Sequence, residues 1–138
     1  MKGKQGMLMD SIQHSVAGIA IEHGKVFIAR RKVGGALGGK WEFPGGKVEP
    51  GETHEQALIR EYAEELRVPI TPGPLMGSAS FEHRGVHILH AYRVYFQEYG
   101  ITLSEHTEWR WATLEAIQAL DFAGSDRKLF PMLQAYLH

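Results

Sequence analysis

The spacing of acidic residues behind a glycine-rich turn constrains this chain more than any other feature. Gly46-Lys47-Val48-Glu49-Pro50-Gly51-Glu52 is followed, after seven residues, by Arg60-Glu61-Tyr62-Ala63-Glu64-Glu65. Thr53 and Gln56 have the spacing of a reciprocal helix cap and Pro69 stops a helix, so the pattern predicts a helix over residues 54–66. On that helix Glu61 lies one turn before Glu64 and Glu65, which puts the three carboxylates on one face. Crowded like charges are costly unless neutralised. A hard dication such as Mg²⁺ or Mn²⁺ neutralises them through carboxylate and carbonyl oxygens. The competing reading is a solvated helix face supported by an Arg60–Glu64 pair. Leu58, Ile59, Tyr62 and Leu66 supply the expected buried stripe, with the glutamates facing elsewhere.

Around this helix the chain alternates strand and helix signals. Apolar residues 16–21 and the stretch 25–30 flank His23-Gly24, a hairpin turn. Residues 32–40, with four glycines, form a loop that leads into a short extended piece at 41–43. The Pro- and Gly-containing segment 69–74 reads as a turn. Residues 75–83 and 86–96 read as a second hairpin around Arg84-Gly85, and 98–107 as a polar loop. A short strand at 109–111, a helix at 114–120 and a final helix at 126–137 complete the chain, with Pro131 imposing a kink or a later start on the last. Interleaved strands and helices predict the α/β class.

The chain has 138 residues, enough for one domain over 1–138 with a loose tail over 1–12. It contains no cysteine, which excludes disulfides, zinc–thiolate sites and thiol nucleophiles. A formal net charge of −1 gives no field for nucleic acid polymers or anionic membranes. The first thirteen residues hold no apolar run suited to a signal peptide, and no stretch reaches membrane-spanning length, so a cytoplasmic location is expected.

The acidic segment resembles the Nudix box, Gly-x5-Glu-x7-Arg-Glu-U-x-Glu-Glu-x-Gly-U, where U is a bulky apolar residue. Gly46, Glu52, Arg60, Glu61, Glu64 and Glu65 match, as do Tyr62 and Val68 at the apolar slots. Arg67 departs from the usual glycine. The resemblance implies an α/β/α sandwich around a mixed β-sheet, and an enzyme that hydrolyses a nucleoside diphosphate linked to another group. It also implies Mg²⁺, with Mn²⁺ an alternative, held by Glu61, Glu64, Glu65 and the Gly45 carbonyl. Arg60 matches an arginine that orients a box glutamate, and Glu52 a supporting acid.

Trp41-Glu42-Phe43-Pro44-Gly45-Gly46, with Arg30-Arg31 before the glycine-rich loop, is similar to the MutT-like branch, which converts nucleoside triphosphates to monophosphate and pyrophosphate. Glu105, six residues before Trp111, matches a loop glutamate that serves as metal ligand or general base; the bland reading is a solvated loop acid. Asp126, fifteen residues after Trp111, matches a base-reading position and also fits an N-cap of the last helix. Phe43, Phe81 and Arg84 match positions near the base, and Arg31 is a candidate substrate contact. The implied substrate is 8-oxo-dGTP, with CTP, dCTP or 5-substituted cytidine triphosphates as the alternative and a silent nucleotide sensor as a rival from another class.

Two further patterns lead elsewhere. Gly34-x4-Gly39-Lys40 mimics a phosphate-binding loop, but Trp41 stands where a Ser or Thr is required. His83 and His87 share a strand face while His90 points the other way, which argues against those three as a metal site and leaves one ring to line the nucleotide pocket.

Overall fold

A computed structural model describes residues 12–36 and 38–137. The tail expected over 1–12 therefore lies, apart from Ile12, outside the described residues. The strands are β1 (Gln13–Ile19), β2 (Ile21–Glu22), β3 (Lys25–Arg31), β4 (Trp41–Glu42), β5 (Gly45–Lys47), β6 (Ile70–Glu82), β7 (Val86–Phe96) and β8 (His106–Ala112). The helices are α1 (His54–Leu66), α2 (Leu114–Gln118), α3 (Gly124–Arg127) and α4 (Phe130–Leu133). One sheet runs β5-β1-β7-β6, in which β1 and β7 are parallel and the other pairs antiparallel. A second sheet places β2 and β4 on one edge of β3 and β8 on the other.

The central strands are apolar on both sides because both faces are covered. Val16, Phe27 and Ala29 join Ala57, Leu58, Tyr62 and Leu66 of α1 in one core. Ala17, Ile19, Val26 and Ile28 point the other way, toward Ile117, Phe130 and Leu133 of α2 and α4. Successive strand residues thus feed opposite cores, and the result is an α/β/α sandwich around a mixed sheet and an antiparallel one. Among the described residues no helix is long and apolar enough to cross a membrane.

Helix α1 begins with both halves of the predicted cap: the Gln56 N–H donates to Thr53 Oγ1 at 3.1 Å, and the Thr53 N–H to Gln56 Oε1 at 2.8 Å. Its buried stripe is Ala57, Leu58, Tyr62, Glu65 and Leu66. Two expectations are corrected here. Ile59 is 45% exposed, and Glu65, expected to face outward, is 4% exposed. The helix rotates so that Tyr62 lies against Gly18, where a Cβ would meet the tyrosine ring and hydroxyl.

The helix ends at Arg67 with φ 53° and ψ 39°, its N–H donating to the Ala63 carbonyl. Arg67 therefore adopts the left-handed conformation that glycine usually supplies. Arg67→Gly is expected to raise unfolding free energy by about 0.5–1 kcal/mol, the relief of left-handed strain less the extra freedom of an unfolded glycine. A rightward shift of the urea midpoint checks this; an unchanged or lower midpoint counts against it.

Other differences arise from tertiary pairing. The turn expected at 69–74 is the start of β6, paired to β7 with register shifts around Pro72, Leu75 and Gly77. Strand β6 is a sheet edge, where proline is tolerated at a bulge. Pairing with β3 extends β8 back to His106. The last helix splits into α3 and α4, with Pro131 in the first turn of α4, where no backbone donor is needed.

Candidate active site

Strand β5 and helix α1 meet at the glycines. A Cβ on Gly46 would lie 2.6 Å from the Glu61 carboxylate, and one on Gly45 would collide with the Val16 carbonyl of β1. Only glycine lets the loop backbone come this close to the acidic face. The Gly45 N–H donates to Glu65 Oε1 at 3.3 Å.

Arg60 ties the acids together from behind. Its Nε and Nη2 donate to the two Glu52 oxygens at 2.7 and 2.9 Å. Its Nη1 donates to Glu61 at 2.7 Å and to Glu64 at 3.4 Å, and Nη2 also reaches the Lys47 carbonyl at 3.0 Å. Planar, multidentate binding of this kind suits guanidinium and not ammonium. The Arg60 bond and the Glu49 N–H hold the Glu52 carboxyl down at about 2. Neither Arg60 nor Glu52 lines the open cleft.

Glu65 lies in the interior among groups from three strands. Glu42 Oε2 accepts from Arg31 Nη1 at 3.1 Å and lies 2.9 Å from His106 Nε2. His106 Nε2 is also 3.8 Å from Glu65 Oε2. Burial, then the charges of Glu42 and Glu61, push the Glu65 carboxyl up to about 9, against the pull of Arg31. Burial also raises Glu61, opposed by Arg60. Glu42 and His106 were not singled out from the sequence. The available signals were a charge between Trp41 and Phe43 in an apolar strand, and a histidine opening β8.

The loop before β8 docks onto the end of α1. The Ser104 hydroxyl donates to the Glu64 carbonyl at 2.8 Å, the Ser104 N–H to the Glu65 carbonyl at 3.2 Å, and the Lys32 N–H to the Glu105 carbonyl at 3.3 Å. Helix-end carbonyls are thereby satisfied and Glu105 is carried to the cleft wall beside Glu61, Glu64 and Glu65.

The cleft, about 520 Å³, continues to Asp126, Phe81 and Phe43. Asp126 is not the cap of a helix: Ala123 holds that position, and Asp126 lies within α3. Its Oδ2 accepts from the Phe43 N–H at 2.9 Å and its Oδ1 from the Ser125 hydroxyl at 3.2 Å. Burial and the charge of Glu42 push its carboxyl up to about 7. Phe43 is 2% exposed and packs on Phe122 and Phe130, so most of its ring belongs to the core. Phe81 stacks on His87 with centroids 4.9 Å apart. Arg31 lines the cleft while bound to Glu42. Arg84 stands at the tip of the β6–β7 turn with φ 56° and does not line the cleft; nor does His83, His87 or His90.

The family model of the NUDIX domain matches residues 12–133. The chain belongs to the Nudix family. This Nudix chain is 36% identical over 124 residues to the CTP pyrophosphohydrolase of Escherichia coli (strain K12), spanning 88% of this chain and 89% of that protein. It is 35% identical over 115 residues to the putative 8-oxo-dGTP diphosphatase 2 of Mycobacterium tuberculosis (strain ATCC 25618 / H37Rv), spanning 81% of each. The solution structure of the E. coli ORF135 protein matches with a TM-score of 0.81 at 34% identity, covering 90% of this chain and 89% of that one. The chain is a Nudix hydrolase, of a family that acts on nucleotides and uses divalent metals. The donor set fits such an ion. Arg60 pairs with Glu61 and Glu64, but burial and the charges of Glu42 and Glu61 outweigh the pull of Arg31 on Glu65, and the carboxylate oxygens suit a hard dication.

Proposed function

We propose that this Nudix hydrolase is a nucleoside triphosphate pyrophosphohydrolase of the MutT type, releasing monophosphate and pyrophosphate. The observation that carries the reading is one cleft lined both by Glu61, Glu64, Glu65 and Glu105 and by Asp126 with Phe81. The four glutamates would serve phosphates and metal, and Asp126 with Phe81 the base end. Mg²⁺, or Mn²⁺, would be held by Glu61, Glu64, Glu65 and the Gly45 carbonyl, with Glu105 as a further ligand or as the base that takes a proton from water. When bound it would neutralise phosphate charge and acidify a water. Arg60, fixed by Glu52, keeps Glu61 and Glu64 aimed at the cleft, and Arg31 adds positive charge to its wall.

At the base end, a carboxylate on Asp126 accepts a hydrogen bond. The N7–H of 8-oxoguanine, absent from guanine, is such a donor, so 8-oxo-dGTP is the first substrate and clearance of oxidised nucleotides the role. A second reading is CTP, dCTP or a 5-substituted form, whose exocyclic amine donates to the same carboxylate. The similarity to the E. coli CTP pyrophosphohydrolase favours it. A silent nucleotide sensor is disfavoured because every box carboxylate is present. Pyrophosphate release with Mg²⁺ over normal and oxidised triphosphates, ranked by kcat/KM, tests these readings. A preference for 8-oxo-dGTP over dGTP supports the first, 5-methyl-dCTP ahead of both supports the second, and no turnover of any triphosphate overturns the proposal.

Asp126→Asn keeps an acceptor for the Phe43 N–H and turns the other oxygen into a donor. It is expected to reduce discrimination for the preferred base by about 10–100-fold, with turnover of poorer bases less affected. Equal loss across all bases would remove Asp126 from base selection.

A further inference from the structure

Where the start of α1 meets β1 and β7, and outside the lining of the carboxylate cleft, three imidazoles converge from three elements: His14 of β1, His54 of α1 and His90 of β7. One ring nitrogen from each lies within 4.8 Å of the others. His14 Nδ1 and His90 Nε2 are 3.1 Å apart, and the His54 and His90 ring centroids 4.6 Å apart.

The outward nitrogens are already held. His90 Nδ1 bonds Ser78 Oγ at 2.9 Å across the β6–β7 pair, and His54 Nδ1 bonds the Tyr92 hydroxyl at 2.8 Å. In each of these half-buried rings Nε2 is left as the candidate ligand; that of His90 lies 3.1 Å from His14 Nδ1, a contact that a metal ion would replace. An oxygen partner on the far nitrogen is what fixes the orientation and tautomer of metal-binding histidines. His14 is exposed and can rotate to close the set. Tetrahedral geometry with metal–nitrogen bonds of about 2.0–2.1 Å requires nitrogens roughly 3.3 Å apart, close to the His14–His90 spacing. The cleft beside the rings, about 490 Å³, leaves room for water as a further ligand.

We infer that His14, His54 and His90 form a second metal centre, separate from the carboxylate cleft and selective for a borderline transition dication such as Zn²⁺, Ni²⁺ or Cu²⁺. Imidazole nitrogens favour these ions, whereas the all-oxygen cleft favours Mg²⁺. Bound metal would tie the first turn of α1 to two strands of the sheet. The inference does not rest on any substrate assignment.

The test is Zn²⁺ titration of the full chain in excess Mg²⁺, against a competing chelator dye, with Cu²⁺ paramagnetic resonance to identify donor atoms. One equivalent of Zn²⁺ is expected, with nitrogen hyperfine structure in the Cu²⁺ spectrum. His14→Ala, at an exposed position, and His90→Ala are each expected to weaken Zn²⁺ binding by at least about tenfold, while Glu61→Gln leaves it unchanged. Zn²⁺ affinity that ignores both histidine variants, or that falls in Glu61→Gln, or a Cu²⁺ spectrum without nitrogen coupling, would overturn the inference. A circular dichroism spectrum of His14→Ala matching the parent separates lost ligation from lost folding.

Discussion

Glu61→Gln is expected to lower kcat for triphosphate hydrolysis by about 10³-fold with little change in stability, as for the loss of a group that organises charge in the transition state. The amide has the shape of the carboxyl. It keeps an oxygen to accept from Arg60 Nη1, and it leaves the close approach of Gly46 undisturbed. Arg60 remains anchored by both oxygens of Glu52. What disappears is one unit of negative charge at the point where β5 meets α1. If Glu61 holds the metal, the variant also needs more Mg²⁺ for half-maximal activity, and saturating Mg²⁺ does not restore kcat. Steady-state rates over a Mg²⁺ series, with a urea midpoint for each protein, decide the matter. Near-parental turnover would remove Glu61 from the site, and a collapsed midpoint would make its role structural.

The helix that carries Glu61 was legible because its signals are local. A reciprocal cap at Thr53 and Gln56 starts it, and one-turn spacing groups the acids. Family resemblance then carried Glu105 and Asp126 to the cleft, although they reach it by routes that no local pattern encodes. Glu105 arrives because Ser104 caps carbonyls of α1, and Asp126 because a short helix turns its carboxylate onto the Phe43 N–H.

What was not legible depends on packing between distant segments. Ile59 and Ala57 both fit an apolar stripe, and the fit of Tyr62 against Gly18 decides which of them is buried. The turn composition of 69–74 is overridden by edge pairing with β7. The interior setting of Glu65 requires Glu42 and His106 to close over it from β4 and β8. The three-imidazole cluster requires β1 and β7 to run parallel beside α1.

If Glu65 holds the metal, its position sets catalysis against stability, and Glu65→Gln should expose the conflict. Without metal, its carboxyl is pushed from an ordinary 4.5 in the unfolded chain up to about 9 in the fold, first by burial and then by Glu42 and Glu61. A raised folded-state value favours the fold fully below pH 4.5, and that advantage is lost progressively as pH rises toward 9. Glutamine resembles the protonated acid and does not titrate. In chelator, Glu65→Gln should match the parent near pH 5 and exceed its unfolding free energy by roughly 2–4 kcal/mol near pH 8. Addition of Mg²⁺ should stabilise the parent at pH 8, since a ligand bound only to the fold adds its binding free energy, and should do little for the variant. Activity should fall by about 10²-fold or more in the same variant, through loss of a charged oxygen ligand. Urea midpoints at the two pH values, with and without Mg²⁺, read the first effect, and pyrophosphate release reads the second. Parallel pH profiles for parent and variant would mean that Glu65 is not held protonated by its neighbours, whereas stability gained with activity kept would mean that its charge serves no purpose in the cleft.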